Sequence, residues 1–202
     1  MRRVSEGEKG RSGLRERKKA KTRAAIQHHA IRLFRKHGYD ATTVEEIAEA
    51  AEVSESTLYR YFPTKEDLVL WDEFDPLLIE AFRTQPPELS PLEALRRSFH
   101  AVFDSLTEEG WALQRQRLEL ELSVPEVRAA MTTQVVEMIR MVADLVAERV
   151  GRPADDLAIR TWAGAVIGVA MSWLLTAEED PTADWVSGID ETLAHLEAGL
   201  PL

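Results

Sequence analysis

The sequence predicts an all-α fold of about nine helices, a three-helix N-terminal unit holding a helix-turn-helix followed by a longer helical domain. Three observations predict it. Apolar residues recur at three- and four-residue spacing through most of the 202 residues. Proline, glycine and hydroxyl caps punctuate the chain at helix-sized intervals. The one stretch that alternates like a strand, Leu118-Glu119-Leu120-Glu121-Leu122, has no second strand to pair with and is read as helix. With 45% apolar residues the chain has material for a real core.

The elements follow in order. Met1 to Gly13 is almost free of apolar residues and lacks the hydrophobic stretch of a signal peptide, so 1–17 reads as a flexible basic arm, with domains at 18–65 and 66–202. From Thr22, the residues Ile26, Ala30, Leu33 and Phe34 mark one helix face, stopped by Gly38. Thr43 with Glu46 makes a capping box for a short second helix whose inner face is Val44, Ile47, Ala48 and Ala51. After the turn Ala51-Glu52-Val53, Ser54 caps a third helix through about Tyr61, with Val53 and Leu58 in hydrophobic-staple positions. Pro63 ends it and Thr64 caps the fourth, where Leu68, Trp71, Leu78 and Phe82 share a stripe and Pro76 predicts a kink or break. A fifth helix begins near Ser90-Pro91 and a sixth covers Trp111 to Leu122. Pro125 opens a long helix to Gly151, Pro153 another to about Ala177, and Pro181 the last, striped by Trp185, Ile189, Leu193 and Leu196.

The net charge of −10 argues against a polyanionic partner until it is resolved along the chain. Residues 1–65 hold 15 Lys and Arg against 9 Asp and Glu, whereas the remainder holds 10 against 26, and every lysine lies at or before Lys65. The N-terminal third therefore suits a polyanion that the remainder would repel. The absence of cysteine excludes disulfide frameworks, thiolate metal sites and cysteine nucleophiles, and is compatible with a reducing cytoplasm. The longest apolar run, Trp162 to Leu175, is shorter than the roughly 18–20 residues that span a bilayer, so no membrane segment is expected. His28 and His29 diverge on a helix, His100 and His195 lack partners at metal spacing, and no phosphate-binding glycine loop or nucleophile elbow occurs. No enzyme, metal or cofactor is expected.

Two short helices joined by a tight turn behind a supporting helix place the second of them in a major groove. Leu58 and Phe62 face inward, leaving Glu55, Ser56, Thr57, Tyr59 and Arg60 on or near the outer surface. Arg60 has the fork that matches guanine O6 and N7. Lys65, a cation in the first turn of a helix, opposes the macrodipole, and a phosphate shared with the free N–H groups of that helix start would offset the cost. The basic residues Arg11, Arg15, Arg17, Lys18, Lys19, Lys21 and Arg23 adjoin this unit and are placed to reach backbone or minor groove.

The segment Ala24 to Leu68, above all Thr42-Thr43-Val44-Glu45-Glu46-Ile47-Ala48 and Val53-Ser54-Glu55-Ser56-Thr57-Leu58-Tyr59-Arg60-Tyr61-Phe62-Pro63-Thr64-Lys65-Glu66-Asp67-Leu68, resembles the DNA-binding domain of the tetracycline-repressor (TetR) family. The resemblance implies an all-helical homodimeric regulator with a ligand-sensing C-terminal domain. By position it implies that Thr43, Tyr59, Tyr61 and Lys65 hold phosphates, and that Ser54, Glu55, Ser56, Thr57 and Arg60 sit in or beside the groove of a double-stranded operator. Glu52 and Ser56 depart from it, standing where such proteins commonly carry glycine. Glu55 would be repelled by phosphates yet accepts from a cytosine amino group.

In the C-terminal domain the Trp162 helix is apolar nearly all round. Gly164, Gly168, Met171 and Leu175 form an outer face that, with Trp185, Ile189, Leu193 and Leu196, predicts a homodimer interface. Trp71, Phe74, Phe103, Trp111, Met131, Met138 and Trp162 are candidates to line a pocket for a small, largely apolar effector, with Glu119 or Glu121 supplying charge to a cationic one. The expected function is a sequence-specific regulator, most often a repressor in such a family. The competing reading is a helical ligand-binding or scaffolding dimer whose N-terminal unit contacts protein.

Overall fold

Ten helices and no strand occur among the residues that the computed structural model describes, 6–72, 74–179 and 184–201. They are α1 (Glu6–His37), α2 (Val44–Ala50), α3 (Glu55–Tyr61), α4 (Asp67–Leu70), α5 (Asp75–Thr84), α6 (Pro91–Phe103), α7 (Glu108–Ser123), α8 (Pro125–Val150), α9 (Leu157–Glu179) and α10 (Trp185–Glu197).

Three boundaries differ from expectation. The arm expected to be flexible over 1–17 is helical from Glu6 onward, continuous with α1. The expected fourth helix takes the break allowed at Pro76, but earlier, at Trp71, and so is two, α4 and α5. Trp71 leaves the helical region (ψ 127) and Pro76, in the first turn of α5, starts a new helix where its missing N–H costs nothing. α9 begins at Leu157 and not at Pro153, since Asp156 accepts from the Ala158 N–H at 2.8 Å and so caps the helix later. Pro181 lies outside the described residues.

The chain forms two compact units, one running through Trp71 together with Leu113–Val127, the other Asp72–Ala112 with Arg128 onward. The first closes after Trp71, beyond Lys65, because Leu68, Val69 and Leu70 are buried. Its core includes Ile26, Ala30, Ile31, Phe34, Ile47, Ala48, Leu58 and Phe62. The alternating segment is helical as expected: in α7, Leu118, Leu120 and Glu121 are buried and the Glu121 carboxylate takes Arg117 at 2.7 Å.

In the second unit Phe74, Val102 and Phe103 form one cluster with Leu78, Phe99, Leu106 and Trp111 against it. A second joins Ala143, Val146, Ala147, Ile159 and Ala163. A third joins Leu92, Val166 and Leu193, with Ile189 and Leu196 packed on it. Arg96 of α6 clamps α10 by two 2.8 Å bonds to Asp190, with Glu197 at 3.1 Å and His100 Nε2 3.3 Å from Asp190. The Arg96 hydrogen bonds hold the Asp190 carboxyl below the usual carboxylate range. A folded-state value lowered in this way contributes stability that is fully present above the unfolded value, about 4, and is lost as pH falls through the folded one. Asp190→Asn is therefore expected to cost about 1–3 kcal/mol at neutral pH, and less below about pH 4, as read by thermal unfolding across that range.

Candidate nucleic-acid interface

Local chemistry fixes how α2 and α3 meet. Thr42 and Thr43 divide the work. The buried Thr42 hydroxyl donates to the Gly38 carbonyl at 2.8 Å, closing α1, while the exposed Thr43 hydroxyl accepts from the Glu46 N–H at 3.2 Å and Glu46 Oε2 accepts from the Thr43 N–H at 2.9 Å. The capping box is thus complete. At the far end of α2 the Val53 N–H reaches the Ala48 carbonyl at 2.9 Å and the Glu52 N–H reaches Glu49 at 3.0 Å, the two bonds of a Schellman turn. Glu52 occupies its left-handed position with φ 55, the place Gly199 takes after α10 with φ 84. Glu52→Gly is expected to stabilise the protein by about 0.5–1 kcal/mol, because the side chain pays for a backbone conformation that glycine adopts freely. A rise of the unfolding midpoint checks this, and a fall contradicts the strain.

α3 presents one polar edge. Leu58 and Phe62 are buried, whereas Ser54, Glu55, Ser56, Tyr59 and Arg60 are exposed and Thr57 and Tyr61 are half-buried. The Ser54 hydroxyl accepts from the Thr57 N–H at 3.2 Å and lies 3.0 Å from both the Ser56 and Thr57 hydroxyls, a cluster of three at the start of the helix. The Arg60 guanidinium rests 5.6 Å from the Tyr61 ring centroid.

Lys65 is placed differently from its expected helix-start role. α4 is a single turn, and the turn that leads into it is already closed by reciprocal bonds, the Thr64 N–H on Asp67 Oδ2 (2.9 Å) and the Asp67 N–H on the Thr64 hydroxyl (3.2 Å). The half-buried Lys65 ammonium donates to the Tyr39 carbonyl at 2.5 Å and stands 4.3 Å over the Tyr39 ring, so the unfavourable dipole is offset within the chain. Tyr39 in turn donates to Glu66 at 3.3 Å, and burial with that carboxylate pushes its phenol well above the usual range.

Among the basic residues ahead of this unit, Arg15, Arg17, Lys18, Lys19 and Lys21 are exposed on α1, and the Arg11 side chain lies outside the described residues. Arg23 differs. Its guanidinium sits 5.1 Å from the Phe62 ring and 4.7 Å from the Trp71 ring. Its spacing to Ile26, Gln27, Ala30 and Phe34 places it on the inner face, a signal that counting charge overlooks.

Within the second unit the pocket candidates fall in more than one cluster. Phe74, Phe103 and Trp111 pack together as tilted rings, with centroids 5.6 and 5.7 Å apart around Phe103. Trp162 packs on the other two clusters, Met131 and Met138 are half-buried on α8, and Trp71 belongs to the first unit. Glu119 is exposed and Glu121 is paired with Arg117. An open groove of about 430 Å³ lies between α5 and α8, lined by Ile79, Arg83, Met141 and Leu145 among others, none of them a candidate from the sequence. Of the interface candidates, Leu193 is buried with Leu92 and Val166, and Ile189 and Leu196 are half-buried against the same cluster. Gly164 and Gly168 instead have no atom within 4 Å of where a Cβ would stand, and Met171 is half-buried. The side chains of Leu175 and Trp185 lie outside the described residues.

Comparison with known proteins agrees with this geometry. Residues 26–70 match the family model described as bacterial regulatory proteins, tetR family, and residues 89–201 match the MftR C-terminal domain. The chain is 33% identical over 182 residues to the HTH-type transcriptional regulator TcmR of Streptomyces glaucescens, covering 83% of this chain and 80% of that one. It is 30% identical over 157 residues to the regulator MftR of Mycobacterium tuberculosis, covering 74% and 78%. The structure of Thermus thermophilus FadR, a TetR-family repressor in complex with lauroyl-CoA, aligns with a TM-score of 0.55 at 25% identity over 89% of this chain and 95% of that one. With the helix-turn-helix built as described and both halves of the chain matched, the protein belongs to the TetR family and is a DNA-binding transcriptional regulator.

Proposed function

We propose that the protein is a ligand-released repressor that reads a pseudo-palindromic operator as a homodimer, acts in the cytoplasm and catalyses no reaction. The observation that carries this is the polar edge of α3, where Ser54, Glu55, Ser56, Tyr59 and Arg60 are exposed beside buried Leu58 and Phe62. Hydroxyls, a phenol and a guanidinium on a short outward helix suit phosphates and base edges. Thr43, Tyr59, Tyr61 and Lys65 hold phosphates, and Ser54, Glu55, Ser56, Thr57 and Arg60 face the groove. Lys65 retains donors beyond the one given to Tyr39. Among the described residues no helix is long and apolar enough to cross a membrane.

The glycine face of α9 supports pairing with a second copy, since it leaves room for close helix approach. The dimer then sets two reading helices about 34–36 Å apart. An apolar effector is supported by the aromatic cluster around Phe103 and by the acyl ligand of the FadR relative. An effector that binds better to a dimer with another spacing of reading heads must weaken operator affinity by the same factor. Selection of bound sequences from random duplex DNA tests the reading. A two-fold repeat in the selected pool is expected, and equally weak binding to all duplexes overturns it in favour of a unit that contacts protein.

A further inference from the structure

We propose that Arg23 is a positioning residue for the reading helix, acting on DNA recognition from behind α3 without touching DNA. It rests on the DNA-reading role just proposed. Phe62 is the residue that closes α3, fully buried, with its N–H on the Leu58 carbonyl at 2.9 Å. The Arg23 guanidinium caps that ring and the ring of Trp71 together, 5.1 and 4.7 Å from their centroids, and the two rings meet edge to face with centroids 5.9 Å apart. One turn further along α1, Gln27 is buried and donates to the Trp71 carbonyl at 2.5 Å. α1 thus grips both ends of the segment from Phe62 to Trp71, by ring and by backbone.

A cation over one buried and one half-buried ring is worth more than the same cation over exposed rings; the Arg23 Nε is buried with no hydrogen-bond partner, and the Asp67 carboxylate is the opposite charge that faces the guanidinium. Such a guanidinium is aimed into the unit and not at a phosphate. Arg60 lies two residues before Phe62, so a shift of the Phe62 ring carries the Arg60 fork with it. Bidentate base readout depends on that fork's register.

The experiment compares Arg23→Met, which keeps length and removes charge, with Arg23→Lys, which keeps a cation over the rings. Affinity for the selected duplex and for an unrelated duplex is measured over a range of salt. Arg23→Met is expected to lose about tenfold on the selected duplex, with the unrelated duplex and the salt slope unchanged, and Arg23→Lys to recover most of the loss. Equal weakening on both duplexes with a shallower slope would mean a phosphate contact and overturn the proposal. A lowered unfolding midpoint with wild-type discrimination between duplexes would reduce Arg23 to a stability residue and overturn it equally. Amide hydrogen exchange of the full chain without DNA supplies an arm that does not need an operator. Faster exchange over Glu55–Tyr61, with α10 unaltered, is expected in Arg23→Met, and unchanged exchange there contradicts the proposal even if no duplex is selected.

Discussion

Gly188→Ala is expected to lower the thermal unfolding midpoint by roughly 2–12 °C, although glycine-to-alanine changes inside helices ordinarily stabilise by about 1 kcal/mol. Gly188 lies within α10, where a Cβ would stand 1.7 Å from Trp173 Nε1, 2.3 Å from Cε2 and 2.8 Å from Cδ1. The indole cannot swing aside cheaply. Trp173 is only 5% exposed, and a ring is displaced as a rigid plate. Overpacking of this kind costs about 1–3 kcal/mol or more, which at about 2–4 °C per kcal/mol for a chain of this size gives the stated shift. The sign is therefore diagnostic of how closely α9 and α10 approach. Trp173→Phe destabilises by opening a cavity, but in that background Gly188→Ala is expected to cost much less, a coupling of about 0.5–3 kcal/mol in a double-mutant cycle. A rise in the midpoint of Gly188→Ala, or strict additivity, would contradict the packing.

The second large effect concerns recognition. Arg60→Ala is expected to cost about 1–3 kcal/mol per half-site against the preferred base and to leave unrelated duplexes nearly unaffected, so that base preference collapses at one position of each half-site. Arg60 is exposed, so the truncation leaves no buried partner orphaned and fold stability is expected to stay within about 0.5 kcal/mol of wild type. Lys65→Ala supplies the contrast. It is expected to weaken all duplexes alike and to reduce the salt slope by about 0.9 for each phosphate no longer neutralised. It also removes the bond to the Tyr39 carbonyl, so the unfolding midpoint of the same variant is measured alongside. Repeating the base selection with Arg60→Ala checks the first half. An unaltered selected sequence would remove Arg60 from the groove.

Much of this was legible because it is local. The capping box of Thr43 and Glu46, the Ser54 cap and the inward pair Leu58 and Phe62 depend on residues within one or two helical turns, and spacing alone determines them. The departure at Glu52, where the resemblance expects glycine, marked the position that proves to be left-handed. What stayed hidden is long-range. The sequence presents Lys65 and Arg23 as positive charge, whereas their partners lie 26 residues away at Tyr39 and 39 and 48 residues away at Phe62 and Trp71. The α10 stripe shows the same limit. A hydrophobic period says that Ile189, Leu193 and Leu196 pack on something, but not that Leu92 of α6 and Val166 of α9 are what they pack on. Pocket residues are least legible of all, because large apolar side chains look alike in sequence whether they line a cavity or fill it.

The confinement of lysine to the first 65 residues makes the molecule a reporter on its own reading unit. An amine-acylating reagent has no lysine to modify in the sensor half, so each side-chain mark it leaves falls on α1 or on Lys65. Lys18, Lys19, Lys21 and Lys36 are exposed, while the Lys65 ammonium is half-buried and gives one hydrogen bond to the Tyr39 carbonyl. Mass-resolved labelling with and without duplex would therefore draw the DNA footprint from the protein's side, one amine at a time.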